Sequence, residues 1–208
     1  MLLLKNFLFN SIIVTYLNLW FSCGSLIVSW ELLGDNLTFS MVFVVTFISL
    51  LVHIYSCEYM GSDPHLTRFL SYLSLFTFFM LILVTASNFI QMFVGWEGVG
   101  LSSYLLINFW FTRLQANKAA IKAMLFNRIA DMLMLFGLFA IYICFESFDY
   151  TIIFSIAPFF LNFEFNFIFF SITCLKFICL FLFLGLEKLS NEMIIVASGQ
   201  PLPTIIEN

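Results

Sequence analysis

Six apolar stretches, each long enough to cross about 30 Å of hydrocarbon as a helix, constrain this chain more than any other feature. They run from about Phe7 to Ser29, Leu37 to Ser56, Phe69 to Ala86, Phe89 to Trp110, Ala119 to Cys144 and Phe165 to Leu186. Of the 208 residues, 62% are hydrophobic and only 10% charged, whereas soluble domains carry about 25% charged residues. A water-soluble fold is excluded. The expected class is an all-α integral membrane protein with about six transmembrane helices. Between the third and fourth stretches only Ser87-Asn88 marks a break. One helix of about forty residues would overshoot the bilayer, so two helices are expected to meet at that dipeptide.

Loop charges give an orientation. With six crossings, Lys5, Arg68, Arg113, Lys118 and Lys122 fall on one side. Glu31, Asp35, Glu146, Asp149 and Glu164 fall on the other, which receives no Lys or Arg. Cationic loops stay on the side of synthesis, so the N-terminus is expected on the positive side, the matrix side in a mitochondrion. The layout is then an N-terminal helix and linker over 1–36, a transmembrane core over 37–144, an acidic loop over 145–164, a last helix over 165–190 and a tail over 191–208. The acidic loop contains Pro158 and the apolar run Tyr150 to Phe160, which is expected to lie along the membrane surface. The five cysteines (23, 57, 144, 174, 179) lack metal-ligand spacing and read as small apolar fillers. No phosphate-binding glycine loop, hydrolase triad spacing or nucleic-acid patch is present in the sequence.

The informative residues are the charges inside the apolar stretches. Glu97 stands among Gly95, Gly98 and Gly100 in the fourth. A lipid-facing carboxylate there would cost roughly 3 kcal/mol or more, so Glu97 must face protein or water. At 100° per residue, Tyr104 and Asn108 each lie about 20° from it, forming a polar stripe. Gly95, Gly98 and Ser102 form a separate small-residue stripe where a neighbouring backbone can approach closely. The fifth stretch carries Arg128 and Asp131, spaced i and i+3. They either neutralise each other or take part in proton movement. Lys118 and Lys122 sit toward the positive end of that stretch, where lysines snorkel. In the sixth, Lys176 has no carboxylate within one turn, and Lys188 follows Gly185 and Glu187. His53 reads as a hydrogen-bonded interfacial histidine. Together Glu97, Lys122, Arg128, Asp131 and a lysine of the sixth helix form a set of exchangeable groups of the kind that move protons through a bundle interior. A Glu–Lys pair holds both groups charged, so changing its separation shifts proton affinity at both ends.

Gly95-Trp96-Glu97-Gly98-Val99-Gly100, followed by Ser103-Tyr104-Leu105-Leu106-Ile107, resembles the signature of the NADH dehydrogenase subunit 5 family, the antiporter-like membrane subunits of respiratory complex I. The likeness continues through Ala116-Asn117-Lys118-Ala119-Ala120-Ile121-Lys122-Ala123 and Asn127-Arg128-Ile129-Ala130-Asp131, and includes Tyr59-Met60-Gly61-Ser62-Asp63-Pro64-His65. It covers roughly Ser29 to Tyr142, and mitochondrial versions look most similar. The resemblance implies a partial antiporter-like fold and a proton-translocating role in the mitochondrial inner membrane. NADH, FMN, iron–sulfur clusters and ubiquinone would then be handled by other subunits. Glu97 matches the family's functional glutamate and Asp131 the acidic residue of the next helix, while Ala130 replaces the usual glycine. Phe183-Leu184-Gly185-Leu186-Glu187-Lys188-Leu189-Ser190 looks like a degraded copy of the family's broken-helix stretch. Lys188 stands one residue out of register with the lysine that partners the glutamate, and Lys176 is a second candidate. The implied partners are the other membrane-arm subunits, lipids, and a second chain carrying the remaining helices of the family subunit. Two other readings stay open: a structural fragment of the membrane arm with no working proton path, and a subunit of a related cation/proton antiporter.

Overall fold

A computed structural model describes residues 12–24, 26–160, 164–166 and 171–185. The elements are β1 (Ile13–Cys23), β2 (Leu26–Gly34), α1 (Asn36–Tyr59), α2 (Leu66–Val84), α3 (Phe89–Ile107), α4 (Leu114–Phe145) and α5 (Tyr150–Ile156). A 3-10 turn (Ala157–Phe160) follows, then β3 (Glu164–Asn166), β4 (Ser171–Thr173) and α6 (Cys174–Gly185). The chain forms two compact units: residues up to Ser102 with Phe145–Ile156, and Ser103–Cys144 with the residues from Ala157 onward.

The membrane-helical class holds. Among the described residues three helices, α1, α2 and α4, are long and apolar enough to cross a membrane. The division at Ser87-Asn88 also holds, since α2 ends at Val84 and α3 begins at Phe89. The run expected to lie along the surface forms a short apolar helix and turn, Tyr150–Phe160, which is too short to span.

The first apolar stretch is not a helix. It pairs as an antiparallel hairpin from Ile13↔Gly34 to Cys23↔Leu26, with irregularities between Tyr16 and Asn18 and between Leu19 and Phe21. Apolar content alone does not separate helix from strand. Here two runs rich in β-branched and aromatic residues flank Gly24, whose φ of 60° suits a tight turn with nothing near a would-be Cβ. A lone two-stranded hairpin is marginal in water, and this one is tied down. Leu33 donates its N–H to the Thr85 carbonyl at 2.9 Å, and Leu32 bridges to Ala86. The expected side of the N-terminus counts this segment as a crossing helix, which the described residues 13–34 do not form. The remaining charge asymmetry does not depend on it.

The sixth stretch also differs. β3 pairs antiparallel with β4, and the helix begins only at Cys174. Phe and Ile favour strand geometry, and this part of the chain is dense in both. In the second unit α6 lies against α4. A Cβ on Gly185 would stand 3.2 Å from the Met134 Cβ, and one on Gly137 would stand 3.2 Å from Leu182. The filler reading also fails for one pair of cysteines, because a disulfide joins Cys144 to Cys174. Their separation of thirty residues hides this pairing in the sequence; Cys174, directly after β4, meets Cys144 near the end of α4. Their Cα atoms are 7.4 Å apart, wider than the usual 4.4–6.8 Å.

Candidate functional site

The fourth stretch folds into α3 with two distinct faces. Its glycine face is seated on α2. A Cβ at Gly95 would stand 2.7 Å from the Leu83 backbone nitrogen and 2.8 Å from its Cα, and one at Gly98 would collide with the Phe79 ring. Only glycine permits this approach. One turn on, the fully buried Ser102 donates its hydroxyl back to the carbonyls of Gly98 at 2.8 Å and Val99 at 3.0 Å. Trp96 and Val99 are buried beside this seam. The expected small-residue packing stripe is therefore present, and α2 is its neighbour.

The other face carries Glu97, which is exposed, as is Leu101 one turn later. The physical reason is that this chain packs α3 through its glycines and leaves the carboxylate on the opposite side. Farther along the expected polar stripe, Asn108 Nδ2 lies 3.5 Å from the Tyr104 hydroxyl. The Asn108 Oδ1 is buried without a partner among the described residues.

In the second unit, α4 divides its candidates between two environments. Asp131 is buried, along with Asn127, Ala130, Met134, Leu138 and Ile141, the 3.6-period stripe that meets α6. Lys122 and Arg128 are exposed, as is Lys176 on α6. Lys188 lies outside the described residues. His53 is hydrogen-bonded as expected: its Nδ1–H donates to the Ser49 carbonyl at 2.7 Å. Among the described residues, no group of three His, Cys, Asp or Glu side chains is disposed to hold a metal.

One polar cluster escapes sequence reasoning altogether. The link from α2 to α3 runs between the hairpin and the acidic loop, hydrogen-bonded to both. On one side Asn88 Nδ2 donates to the Ser29 carbonyl at 2.8 Å, and Glu31 N–H donates to Gln91 Oε1 at 3.3 Å. On the other, Phe89 N–H donates to the Phe148 carbonyl at 3.1 Å and Tyr150 N–H to the Ser87 carbonyl at 3.3 Å. Asn88 also caps α3, its Oδ1 accepting the Gln91 N–H at 2.7 Å. Ser87, Asn88 and Gln91 are all buried. Burial raises the Asp149 carboxyl above the ordinary 3.8, and the nearby Glu31 charge adds to the rise. Burial also raises the Tyr150 hydroxyl. The signal for this cluster was small: one glutamine in an apolar run, beside a dipeptide that reads as a turn.

Comparison with known proteins gives two family matches. Residues 20–70 match the family described as NADH-ubiquinone oxidoreductase (complex I), chain 5 N-terminus. Residues 86–190 match the family described as NADH:quinone oxidoreductase/Mrp antiporter, transmembrane. The chain is 54% identical over 176 residues to NADH-ubiquinone oxidoreductase chain 5 of Chondrus crispus, which covers 85% of this chain and 26% of that protein. It is 51% identical over 184 residues to the chain 5 protein of Dictyostelium discoideum, covering 88% and 28%. With that of Rhizopus stolonifer the identity is 59% over 140 residues, covering 67% and 21%. The chain thus spans about a quarter of the length of the curated relatives it matches.

Proposed function

The chain belongs to the family of NADH-ubiquinone oxidoreductase chain 5 and the related antiporters, and from this premise we propose that it supplies one proton-carrying element of a complex I membrane arm in the mitochondrial inner membrane. Residues 37–144 form the antiporter-like core of that element. Electron transfer from NADH to ubiquinone takes place in other subunits, with FMN and iron–sulfur clusters held there, and this chain does the translocase half of the work without redox chemistry of its own. The remaining helices come from further polypeptide, in the simplest case a second chain, which covers the exposed face of α3. The loops with Arg68, Arg113 and Lys118 face the matrix.

The observation that carries the reading is the two-faced build of α3. The seam of Gly95 and Gly98 on α2 fixes the helix in rotation, so the position of Glu97 is fixed with it. A carboxylate held in this way, and then covered by protein, loses and gains a proton according to the distance of a cation opposite. The cation is a lysine, Lys188 or Lys176. Asp131, with Arg128 and Lys122 on the same helix, takes the proton onward. Glu97→Gln keeps the shape and removes the titration. The expected outcome is an assembled complex that oxidises NADH but moves fewer protons per NADH, measured in sealed vesicles. Unchanged stoichiometry in that variant would leave Glu97 a purely structural role and favour a membrane-arm piece with no proton path.

A further inference from the structure

The exposed face of α4 carries a pattern that its packing on α6 does not explain. At 100° per residue, Lys118, Lys122, Leu125, Ile129, Met132 and Phe136 fall within an arc of about 80°. All six are exposed, the four apolar ones by 50–62%. The buried stripe that meets α6, from Asn127 to Ile141, lies on the opposite side of the helix. The two lysines stand one turn apart at one end of the exposed stripe, and only apolar residues follow them on it. Leu125 to Phe136 covers about 16 Å of helix, half of the hydrocarbon thickness and so one leaflet.

The link before α4 extends the charged end. Arg113 N–H donates to the Trp110 carbonyl at 3.0 Å, and Asn117 N–H donates to the Arg113 carbonyl at 3.2 Å. Asn117 Nδ2 donates to the Phe111 carbonyl at 3.0 Å. These bonds hold the link, with its exposed Trp110, Phe111 and Arg113, against the first turn of α4. From Gly98 to Ala130 the chain has four cations, Arg113, Lys118, Lys122 and Arg128, and no carboxylate. The positive charge of this end is therefore not neutralised by its neighbours in the chain. Aromatic rings and cations at the rim of an apolar surface suit the headgroup level of a bilayer, and cations there attract anionic lipids. An acidic protein segment would match the charges and leave the apolar stripe beyond them unmatched. A zwitterionic lipid would cover the stripe and leave the net charge. An anionic lipid matches both. We propose that this face seats an anionic glycerophospholipid of the leaflet that meets the α3–α4 link, its phosphate at Lys118 and Lys122 and an acyl chain along Leu125 to Phe136. The site does not rest on the proposed role of Glu97. Lys122 also stands in the proposed proton path, so the test is placed on Lys118.

The experiment uses the whole assembled complex in phosphatidylcholine vesicles that contain a trace of photoactivatable lipid. The probe carries a diazirine on one acyl chain and is either phosphatidylglycerol or phosphatidylcholine. Adducts are mapped by peptide mass spectrometry. The phosphatidylglycerol probe should label the segment Leu125 to Phe136 in preference to the phosphatidylcholine probe. Helix α1, which has no Lys or Arg, is the internal control and should take both probes equally. Lys118→Gln should lower the preference about fivefold, the equivalent of about 1 kcal/mol for one cation at an anionic surface, and Lys118→Arg should keep it. Equal labelling of α4 by the two probes overturns the proposal, as does an unchanged preference in Lys118→Gln. Labelling of α4 by neither probe, with α1 labelled, means that protein covers the face, and this too overturns it. Should Lys118→Gln fail to assemble, the wild type supplies the second measurement. Charges at headgroup level are screened by salt, so the preference should shrink as ionic strength rises, and a preference indifferent to salt overturns the electrostatic seat.

Discussion

At the scale of single residues, the glycines of the α2–α3 seam cannot be replaced, whereas Gly137 of α4 can. A methyl group at Gly95 would meet the backbone of Leu83 at 2.7–2.8 Å, so α2 itself would have to shift. Gly95→Ala is expected to cost about 1–3 kcal/mol, the usual penalty for overpacking. It should lower the amount of chain found in assembled complex on native gels. At Gly137 the first atoms met belong to the Leu182 side chain, at 3.2 and 3.3 Å, and a leucine tip can give by a few tenths of an ångström. Gly137→Ala should assemble at near wild-type levels, and the reverse ranking would refute the close approach of α2 to α3. The same seam explains why the candidate glutamate is readable from sequence. A 3.6-residue period assigns Gly95, Gly98 and Ser102 to one face and Glu97 to another, and the structure keeps that division. What the period cannot supply is whether anything covers Glu97, because the spacing within one helix says which residues share a face and not what lies opposite it.

At the scale of elements, the shortest link makes the most connections. Thr85 to Asn88 hydrogen-bonds to β2 on one side and to the acidic loop on the other, and Asn88 serves both the hairpin and the first turn of α3. Asn88→Ala removes a helix cap worth about 1 kcal/mol and strands the Ser29 carbonyl, which adds about 1–3 kcal/mol if water cannot reach it. Amides across β2 and the start of α3 should then exchange together faster than in the wild type. Loss of protection in only one of them would mean that the link does not join them. The hairpin and the Cys144–Cys174 bond are both concealed by the sequence, for different reasons. Hydropathy reports that a segment is apolar, not whether its backbone pairs with itself or with a partner strand; only Gly24 between two β-rich runs pointed to strands. A disulfide depends on where a chain returns, and a separation of thirty residues hides that. The bond has a direct check. Maleimide under denaturing, non-reducing conditions should label three thiols, those of Cys23, Cys57 and Cys179, and all five only after reduction. Five labelled thiols before reduction would exclude the bond.

At the scale of the whole chain, the question is which way it sits in the bilayer, and the hairpin alters how that is decided. The charge asymmetry survives when Lys5 is left out of the count. Arg68 opens α2, while Arg113 and Lys118 flank the start of α4, and all three lie toward one end of their helices. Glu31, Asp35, Glu146 and Asp149 lie in the hairpin and in the loop after α4, at the opposite ends. Cationic loops resist translocation far more than acidic ones assist it, so the orientation proposed above puts the short connection containing the exposed Arg113 on the matrix side. α4 supports this. Its 32 residues make a helix of about 48 Å, some 18 Å more than the hydrocarbon needs. Lys118 and Lys122 occupy the end where that excess leaves the membrane at the least cost. Trypsin added to inverted inner-membrane vesicles should therefore cut after Arg113 or Lys118, while the same protease added to sealed mitoplasts should leave both bonds intact. Cleavage from the outer side would reverse the topology.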